Sequence, residues 1–315
     1  MRTLIKLAML LAGVVLVGVV LTHVRPKVAR TALAIAADET TRCEAPKLPL
    51  YPKATYQRRV AANEFLGYAV ASMNVYKDGA PKGFSLDKHS PEWRQVGTWD
   101  KAGLAFNVFH RDEPGRLTVL TVLRGTESLD TADWLANFSW LLAWLPIDTQ
   151  YDEARLIFQA TRKQAYEAAK GRKVSFITSG HSLGGGLAKH IAFSYPCVSA
   201  AVFNSSIISN RFRLAEPYDG AIVVHTFEDK DELNRLQNLF FVEAESDTYK
   251  HYKQDAVKDR VEFQHTMTGL AVGMARQVLR CQEKRAECPV PVSDARARRL
   301  YCESWGKGTP LCKAG

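Results

Sequence analysis

The chain has 315 residues, which is enough for one α/β domain of ordinary size with some additional sequence. Its hydrophobic fraction of 46% supports a folded core and argues against a disordered chain. The formal net charge is +9, but the basic excess lies in residues 1–30 and 276–315, and the region between them is close to neutral. A neutral central region argues against a nucleic-acid enzyme, whereas basic ends are compatible with an anionic membrane surface.

Residues 1–30 are predicted to be an N-terminal membrane anchor or signal segment. The run from Leu7 to Leu21 carries no polar side chain, and the apolar span extends over 4–24 if Lys6 snorkels, which matches the roughly 20 residues that cross a bilayer. The best small-residue cleavage site, at 34–36, lies far beyond this run. An uncleaved apolar anchor helix that spans the membrane once is therefore favoured over a cleaved signal, and secretion after cleavage is the alternative.

Beyond this segment, residues 31–54 are predicted to be a linker, 55–280 a folded α/β domain and 281–315 a cysteine-rich basic tail. The predicted elements are a helix over 55–76, strands over 104–110 and 117–123, helices over 131–145 and 151–170, a strand over 174–178, a helix over 183–195, strands over 199–203 and 221–227, and a helix over 266–280. Residues 77–101 are predicted to be rich in loops. Strands that alternate with helices at this spacing predict a mostly parallel central sheet with helices on both faces.

The chain has six cysteines, four of them in the tail, at spacings that match no zinc site. An even number behind a translocation signal predicts disulfides in an oxidising compartment, so that the folded domain lies on the extracytoplasmic side, periplasmic or extracellular. The sequence alone does not give the pairing. Cys197 follows Pro196 at the end of a predicted helix, and a buried free thiol is an alternative interpretation there.

The segment Gly180-His181-Ser182-Leu183-Gly184 has the pattern G-x-S-x-G between a β-branched apolar run and an apolar run with helical spacing. A strand, a sharp turn flanked by glycines and a helix are the context of a nucleophile elbow, in which the serine side chain is presented at the end of the strand. The sequence therefore predicts an α/β-hydrolase fold with Ser182 as the nucleophile.

A serine nucleophile needs a base and an acid, and in α/β-hydrolases these follow the serine in the order acid, then histidine. His265, at the start of the last predicted helix, is the favoured base, because His251 lies in a polar run that is predicted to be a solvated loop. The acid should follow the strand over 221–227. Four carboxylates compete at that position: Glu228, Asp229, Asp231 and Glu232.

Three motifs together resemble the class 3 (fungal-type) lipases of the α/β-hydrolase superfamily: Leu123-Arg124-Gly125-Thr126, Asp133-Trp134-x-x-Asn137 and the glycine-flanked serine segment. The similarity extends over about residues 100–270. It implies that Thr126 and the backbone N–H of Leu183 form the oxyanion hole. It also implies that Asp231 is the acid, with Asp229 as the alternative, although a leucine at 123 and a missing proline after Leu236 depart from the pattern.

The same resemblance implies a mobile lid between the oxyanion turn and the next long helix. Trp134, Trp140 and Trp144 are the candidate lid or lipid-contact residues, because aromatic side chains with a polar group suit a membrane interface. Tryptophans at helical spacing are also common in protein cores, so a core role is the alternative.

The motifs predict a serine hydrolase of lipase or phospholipase type that cleaves carboxylic esters of lipids through Ser182, His265 and Asp231. The predicted partners are a lipid ester substrate and a membrane surface, and neither a metal nor a cofactor is required. Two alternatives remain: an esterase or thioesterase for small soluble substrates, and a catalytically silent, membrane-anchored binding protein with the same fold. The sequence leaves open whether the substrate is a phospholipid or a neutral glyceride.

Overall fold

The computed structural model describes residues 41–50, 57–76, 85–101, 104–125, 150–206, 214, 218–228, 249–254, 266–283, 294–304 and 309–313. The helices are α1 (Gln57–Asn74), α2 (Leu86–His89), α3 (Gln150–Ala169), α4 (Leu183–Ser194), α5 (Met267–Glu283), α6 (Asp294–Ser304) and α7 (Pro310–Lys313). The strands are β1 (Arg94–Lys101), β2 (Leu104–Glu113), β3 (Arg116–Leu123), β4 (Lys173–His181), β5 (Val198–Phe203), β6 (Val223–Glu228) and β7 (Tyr249–Gln254). The predicted anchor over 1–30 and the predicted helix over 131–145 lie outside the described residues.

The described strands form one seven-stranded sheet in the order β1 to β7. β1, β2 and β3 pair antiparallel, and β3 to β7 are parallel, so the prediction of a mostly parallel sheet is confirmed. β4 lies in the centre, and every residue after Lys173 is buried because helices cover both faces of the sheet there. The carboxyl ends of the parallel strands lie along one edge, which we call the carboxyl edge.

Two hydrophobic clusters fill the space between the sheet and its helices. One cluster joins α1, α5 and α6 to the sheet, and the other joins α3 and α4 to the opposite face. The face of α1 that packs on the sheet includes Phe65, Ala69 and Met73, which are buried in the first cluster, and Tyr68, which is partly buried against it; Val60 is buried as well. Each fully buried large side chain contributes about 1.5–3 kcal/mol, so this face fixes α1 against the sheet.

Two strands lie where the sequence indicated loops. β1 lies in the segment predicted to be loop-rich, and β7 contains His251, so the prediction of a solvated loop at that histidine is wrong. Both are edge strands with mixed polar composition, and neither shows the alternation that marks a half-buried strand. They form because β2 and β6 offer free edges for backbone pairing, and His251 is in register with His225 of β6.

Two disulfides join described residues, Cys43 to Cys197 and Cys302 to Cys312, as the prediction of disulfides requires. The alternative of a free thiol at Cys197 is therefore wrong. Next to the first disulfide, the N–H of Glu44 donates to the carbonyl of Val174, so the chain before α1 is attached to the amino end of β4. Within the described residues, no helix is long and apolar enough to cross a bilayer.

Candidate active site

Ser182 lies in the turn between β4 and α4, at the carboxyl edge. Its backbone has φ 57° and ψ −127°, a region that a residue with a side chain rarely adopts, and it is only 4% exposed. The Ser182 N–H donates to the carbonyl of Phe203 at 3.2 Å, and its carbonyl accepts from Gly185, Gly186 and Ser206 at 3.0, 3.2 and 2.9 Å. The predicted strand, turn and helix are present, and hydrogen bonds on both sides of the peptide hold the strained residue.

The glycines on either side of Ser182 permit backbones to approach where a side chain would not fit. A Cβ atom on Gly180 would lie 2.5 Å from the carbonyl carbon of Gly184, and one on Gly184 would lie 2.8 Å from the nitrogen of Gly125. Such separations are far below van der Waals contact. These glycines therefore let β4, α4 and the end of β3 meet at one point.

Gly125 ends the described segment that follows β3 and lies directly against the turn that contains Ser182. A Cβ atom there would be 2.6 Å from the carbonyl oxygen of His181 and 3.3 Å from the nitrogen of Gly184. Its neighbour Arg124 donates its backbone N–H to the carbonyl of Ala105 at 2.8 Å and forms an ion pair with Asp100 at 3.1 Å. The turn that leads into Thr126 is therefore attached to β1, to β2 and to the serine turn.

Tyr76, two residues after α1, joins these two turns and was not singled out in the sequence. Its hydroxyl accepts the backbone N–H of Gly125 at 3.1 Å and lies 3.1 Å from Nδ1 of His181. It also donates to the carbonyl of His181 at 3.4 Å, and the two rings meet edge to face with centroids 5.9 Å apart. Tyr76 therefore fixes the separation between the end of β3 and the residue that precedes Ser182.

The other histidines near the serine have structural surroundings. His190, on α4, is buried and packs edge to face against Tyr151 with ring centroids 5.3 Å apart. His225, in β6, is buried, and its Nε2 accepts the N–H of Ser205 at 3.1 Å. Because the lone pair of His225 Nε2 already accepts this N–H, that nitrogen is not available to take a proton from Ser182.

Of the predicted site residues, the structure describes Ser182 and Leu183, which are adjacent at the start of α4. The others lie outside the described residues: Thr126, Asp229, Asp231, His265, Trp134, Trp140 and Trp144. Three of them are direct sequence neighbours of described residues: Thr126 follows Gly125, Asp229 follows Glu228, and His265 precedes Thr266. Gly125 follows β3 and Glu228 ends β6, so the described residues that directly precede Thr126 and Asp229 in the sequence lie at the same edge of the sheet as Ser182.

Glu228 is the one of the four competing carboxylates whose position is described, and it is 2% exposed at the end of β6. Its backbone N–H donates to Oδ1 of Asn204 at 2.9 Å.

No group of three or more histidine, cysteine, aspartate or glutamate side chains that could hold a metal ion occurs among the described residues. The described part of the site therefore offers a serine, backbone donors and buried polar partners.

Comparison with known proteins gives a family and a set of similar structures. A family model described as phospholipase-like, the Tle-like phospholipase domain, matches residues 67–278. The resemblance to a lipase-like family predicted from the motifs is thereby confirmed. No curated protein sequence matches the chain.

Similar solved structures are fungal lipases with low sequence identity. The lipase of Rhizomucor miehei in complex with its propeptide is 17% identical, with 70% of this chain and 80% of that chain covered and a TM-score of 0.44. A lipase from Rhizopus microsporus var. chinensis is 11% identical, with coverage of 74% and 93% and a TM-score of 0.43. The Lip2 lipase from Yarrowia lipolytica is 15% identical, with coverage of 62% and 78% and a TM-score of 0.38.

Proposed function

Because the chain belongs to the family of Tle-like phospholipase domains, we propose that it is a serine hydrolase that cleaves carboxylic esters of lipids. The observation that carries the proposal is the conformation of Ser182, a buried serine with positive φ at the junction of β4 and α4. Backbone strain of this kind costs on the order of 1–3 kcal/mol and persists where the surroundings impose it, which is typical of active sites. A serine that only filled core space would not need it.

In the proposed reaction, Ser182 Oγ attacks the carbonyl carbon of the ester while His265 takes the hydroxyl proton. The tetrahedral intermediate collapses, the bond to the alcohol breaks, and His265 returns the proton to the leaving alcohol. Water then adds to the acyl-enzyme with His265 as the base, and the carboxylic acid leaves. Asp231 orients His265 and stabilises its charged form, and Asp229 is the alternative acid.

The negative oxygen of the intermediate is proposed to bind the backbone N–H of Leu183 and Thr126. Leu183 is the first residue of α4, and N–H groups in the first turn of a helix have no partner within the helix and carry partial positive charge. Gly125, directly before Thr126, is held against Gly184 and His181. This contact supports a second donor beside the serine, and one such donor is worth about 10²–10³ in kcat.

The proposed setting is a lipid surface in an oxidising compartment. The disulfide between Cys43 and Cys197 supports the compartment, because such bonds persist outside the reducing cytosol. We propose residues 1–30 as the anchor, with secretion after cleavage as the alternative, and Trp134, Trp140 and Trp144 as lid or lipid contacts. A hydrolase for small soluble esters or thioesters remains the second candidate, because the same described site would serve it.

The test is labelling of the full-length protein with a fluorophosphonate, followed by substrate profiling. We expect the wild type to be labelled, Ser182→Ala to be unlabelled, and the matched control Ser194→Ala, at the far end of α4, to be labelled at the wild-type rate. Labelling of Ser182→Ala at the wild-type rate would refute the proposal. A failure of the wild type to react would favour the catalytically silent binding protein.

Substrate profiling separates the two enzyme candidates. A lipid hydrolase should prefer long-chain p-nitrophenyl esters and turn over phospholipid vesicles or triacylglycerol emulsions faster than dissolved substrate. Preference for short-chain esters, without any increase at a lipid surface, would instead indicate a soluble-substrate esterase.

A further inference from the structure

Three residues that follow β5, Asn204, Ser205 and Ser206, contact both the serine turn and the end of β6. We call them the post-β5 turn. All three are buried, with exposures of 1%, 1% and 4%. Buried polar residues in a loop must be hydrogen-bonded to be tolerated, so their partners show what the turn holds together.

On one side, the post-β5 turn holds the nucleophile. The N–H of Ser206 donates to the carbonyl of Ser182 at 2.9 Å, and the carbonyl of Ser206 accepts from the buried Nζ of Lys189, on α4, at 3.0 Å. A Cβ atom on Gly185 would lie 2.7 Å from Oγ of Ser205, so α4 packs directly on the turn. The position of Ser182 therefore depends on where these three residues lie.

On the other side, the same turn holds the last residues of β6. The N–H of Asn204 donates to the carbonyl of Thr226 at 3.0 Å, and the N–H of Ser205 donates to Nε2 of His225 at 3.1 Å. The register between β5 and β6 ends at Phe203 and Thr226. Beyond this last backbone pair, the side chain of Asn204 continues the contact between the two strands, because its Oδ1 accepts the N–H of Glu228 at 2.9 Å.

Asparagine suits this position for two reasons. The backbone of Asn204 has φ 37°, and asparagine tolerates positive φ better than most residues with a side chain. Its short side chain also carries an acceptor oxygen that reaches the backbone of the next strand. Glu228 is the last residue before the segment that contains Asp229 and Asp231, so this bond fixes the point from which the acid segment leaves the sheet.

We propose that Asn204 is a positioning residue for the catalytic acid: its side chain aligns the acid segment with the same turn that holds Ser182. The inference rests on the proposed function and adds to it the link between nucleophile and acid. No contact between Asn204 and the substrate is proposed. It acts through the acid, which orients the histidine, and a displacement of about 1 Å in such an arrangement can cost about 10²-fold in rate.

Two variants separate the acceptor oxygen from the backbone conformation. Asn204→Gly adopts positive φ without strain but has no acceptor, whereas Asn204→Asp keeps an acceptor oxygen of the same reach. We expect Asn204→Gly to lower kcat about 10-fold to 100-fold at unchanged KM, and Asn204→Asp to restore most of it. Phosphonate titration should give the same number of reactive serines in each folded variant, with slower labelling in Asn204→Gly.

Variants from which the catalytic acid has been removed show whether Asn204 acts through that acid. When the true acid has already been removed, as Asp231→Asn or Asp229→Asn, the further change Asn204→Gly should alter the residual kcat by no more than about twofold, because residues that act as a unit are not additive. Whichever of the two variants, Asp231→Asn or Asp229→Asn, abolishes the effect of Asn204→Gly on kcat also identifies the acid. A full effect in both backgrounds, or an Asn204→Asp variant as slow as Asn204→Gly, would overturn the inference.

Labelling of Ser182 and the kcat of Asn204→Gly together separate the role of Asn204 from the proposed function. If the wild type is labelled at Ser182 but Asn204→Gly keeps the wild-type kcat, only the role of Asn204 is refuted. If the wild type is not labelled at Ser182, the proposed function fails and the inference fails with it. Thermal unfolding of each variant shows whether a loss of activity comes from loss of the fold. If Asn204 has only a structural role, its replacement lowers the fraction of protein that reacts with phosphonate but leaves kcat per labelled serine unchanged.

Discussion

The hydroxyl of Tyr76 provides a direct test of how the turn proposed to bind the oxyanion is held. The change Tyr76→Phe keeps the ring that packs against His181 and removes only the oxygen that accepts the Gly125 N–H at 3.1 Å. Gly125 is buried, so its N–H loses an acceptor in a place where water does not replace it freely. An unsatisfied buried donor of this kind costs about 1–3 kcal/mol.

The expected effect on kcat depends on how the turn responds to the unsatisfied N–H of Gly125. If the turn relaxes to satisfy the Gly125 N–H, the proposed oxyanion donor that follows it, Thr126, is displaced as well, and the proposed stabilisation of the oxyanion is reduced. At about 1.4 kcal/mol per factor of ten, the cost corresponds to a decrease in kcat between about 5-fold and 150-fold. KM should change little, because the ester in its ground state has not yet developed the charge that the turn stabilises.

The assay is steady-state hydrolysis of a p-nitrophenyl ester, with kcat expressed per serine that reacts with phosphonate. Tyr68→Phe is the matched control, since Tyr68 lies two turns earlier on α1 and packs against Phe65 and Trp93. We expect this control to keep the wild-type kcat. A Tyr76→Phe variant whose kcat stays within about twofold of the wild type would show that the hydroxyl does not hold the turn in the transition state.

Two further predictions concern stability. Replacing Cys43 and Cys197 together by serine should lower the free energy of unfolding by about 2–4 kcal/mol in urea titrations, because the disulfide closes a loop with a sequence separation of 154; an unchanged midpoint would contradict this. Burial raises the pKa of Glu113, but hydrogen bonds from Arg116 and Thr118 outweigh it and hold the pKa below its ordinary value of 4.5. A lowered folded pKa stabilises the protein above the unfolded pKa, and this contribution is lost as the pH falls through the folded value. Glu113→Gln should therefore be less stable than the wild type by about 1 kcal/mol at pH 7, and the difference should shrink below pH 4.5; a difference that is constant with pH would refute the ion pair as its cause.

The elements that the sequence predicted are those whose signals are local. α1 and α3 have apolar residues at helical spacing, and β4 contains the β-branched and apolar residues Val174, Phe176 and Ile177 in a strand that is buried after Lys173. The serine turn was predictable because its glycines and the strand and helix beside it occupy adjacent positions in the chain. In each case, the physical cause of the structure lies within about twenty residues.

The parts that were not predicted depend on partners that are distant in the sequence. β1 carries exposed Val96 and Trp99, and it is a strand because β2 pairs with it across a bulge. Tyr76 finds Gly125 and His181 at sequence separations of 49 and 105 residues. No local pattern separates Tyr76 from any other tyrosine after a helix, so its role emerges only when α1 lies against the sheet.

The strained serine also explains why so many separate elements converge on one turn. Its backbone region costs on the order of 1–3 kcal/mol, and a single hydrogen bond contributes about 0.5–1.5 kcal/mol, so one partner would not reliably hold it. Four hydrogen bonds to the backbone of Ser182 come from β5, from α4 and from Ser206. Tyr76 and Gly125 restrain the preceding residue from the other side. If this convergence is what maintains the strain, loosening any one attachment should reduce the reactivity of Ser182 before it unfolds the domain, because the remaining attachments still hold the fold.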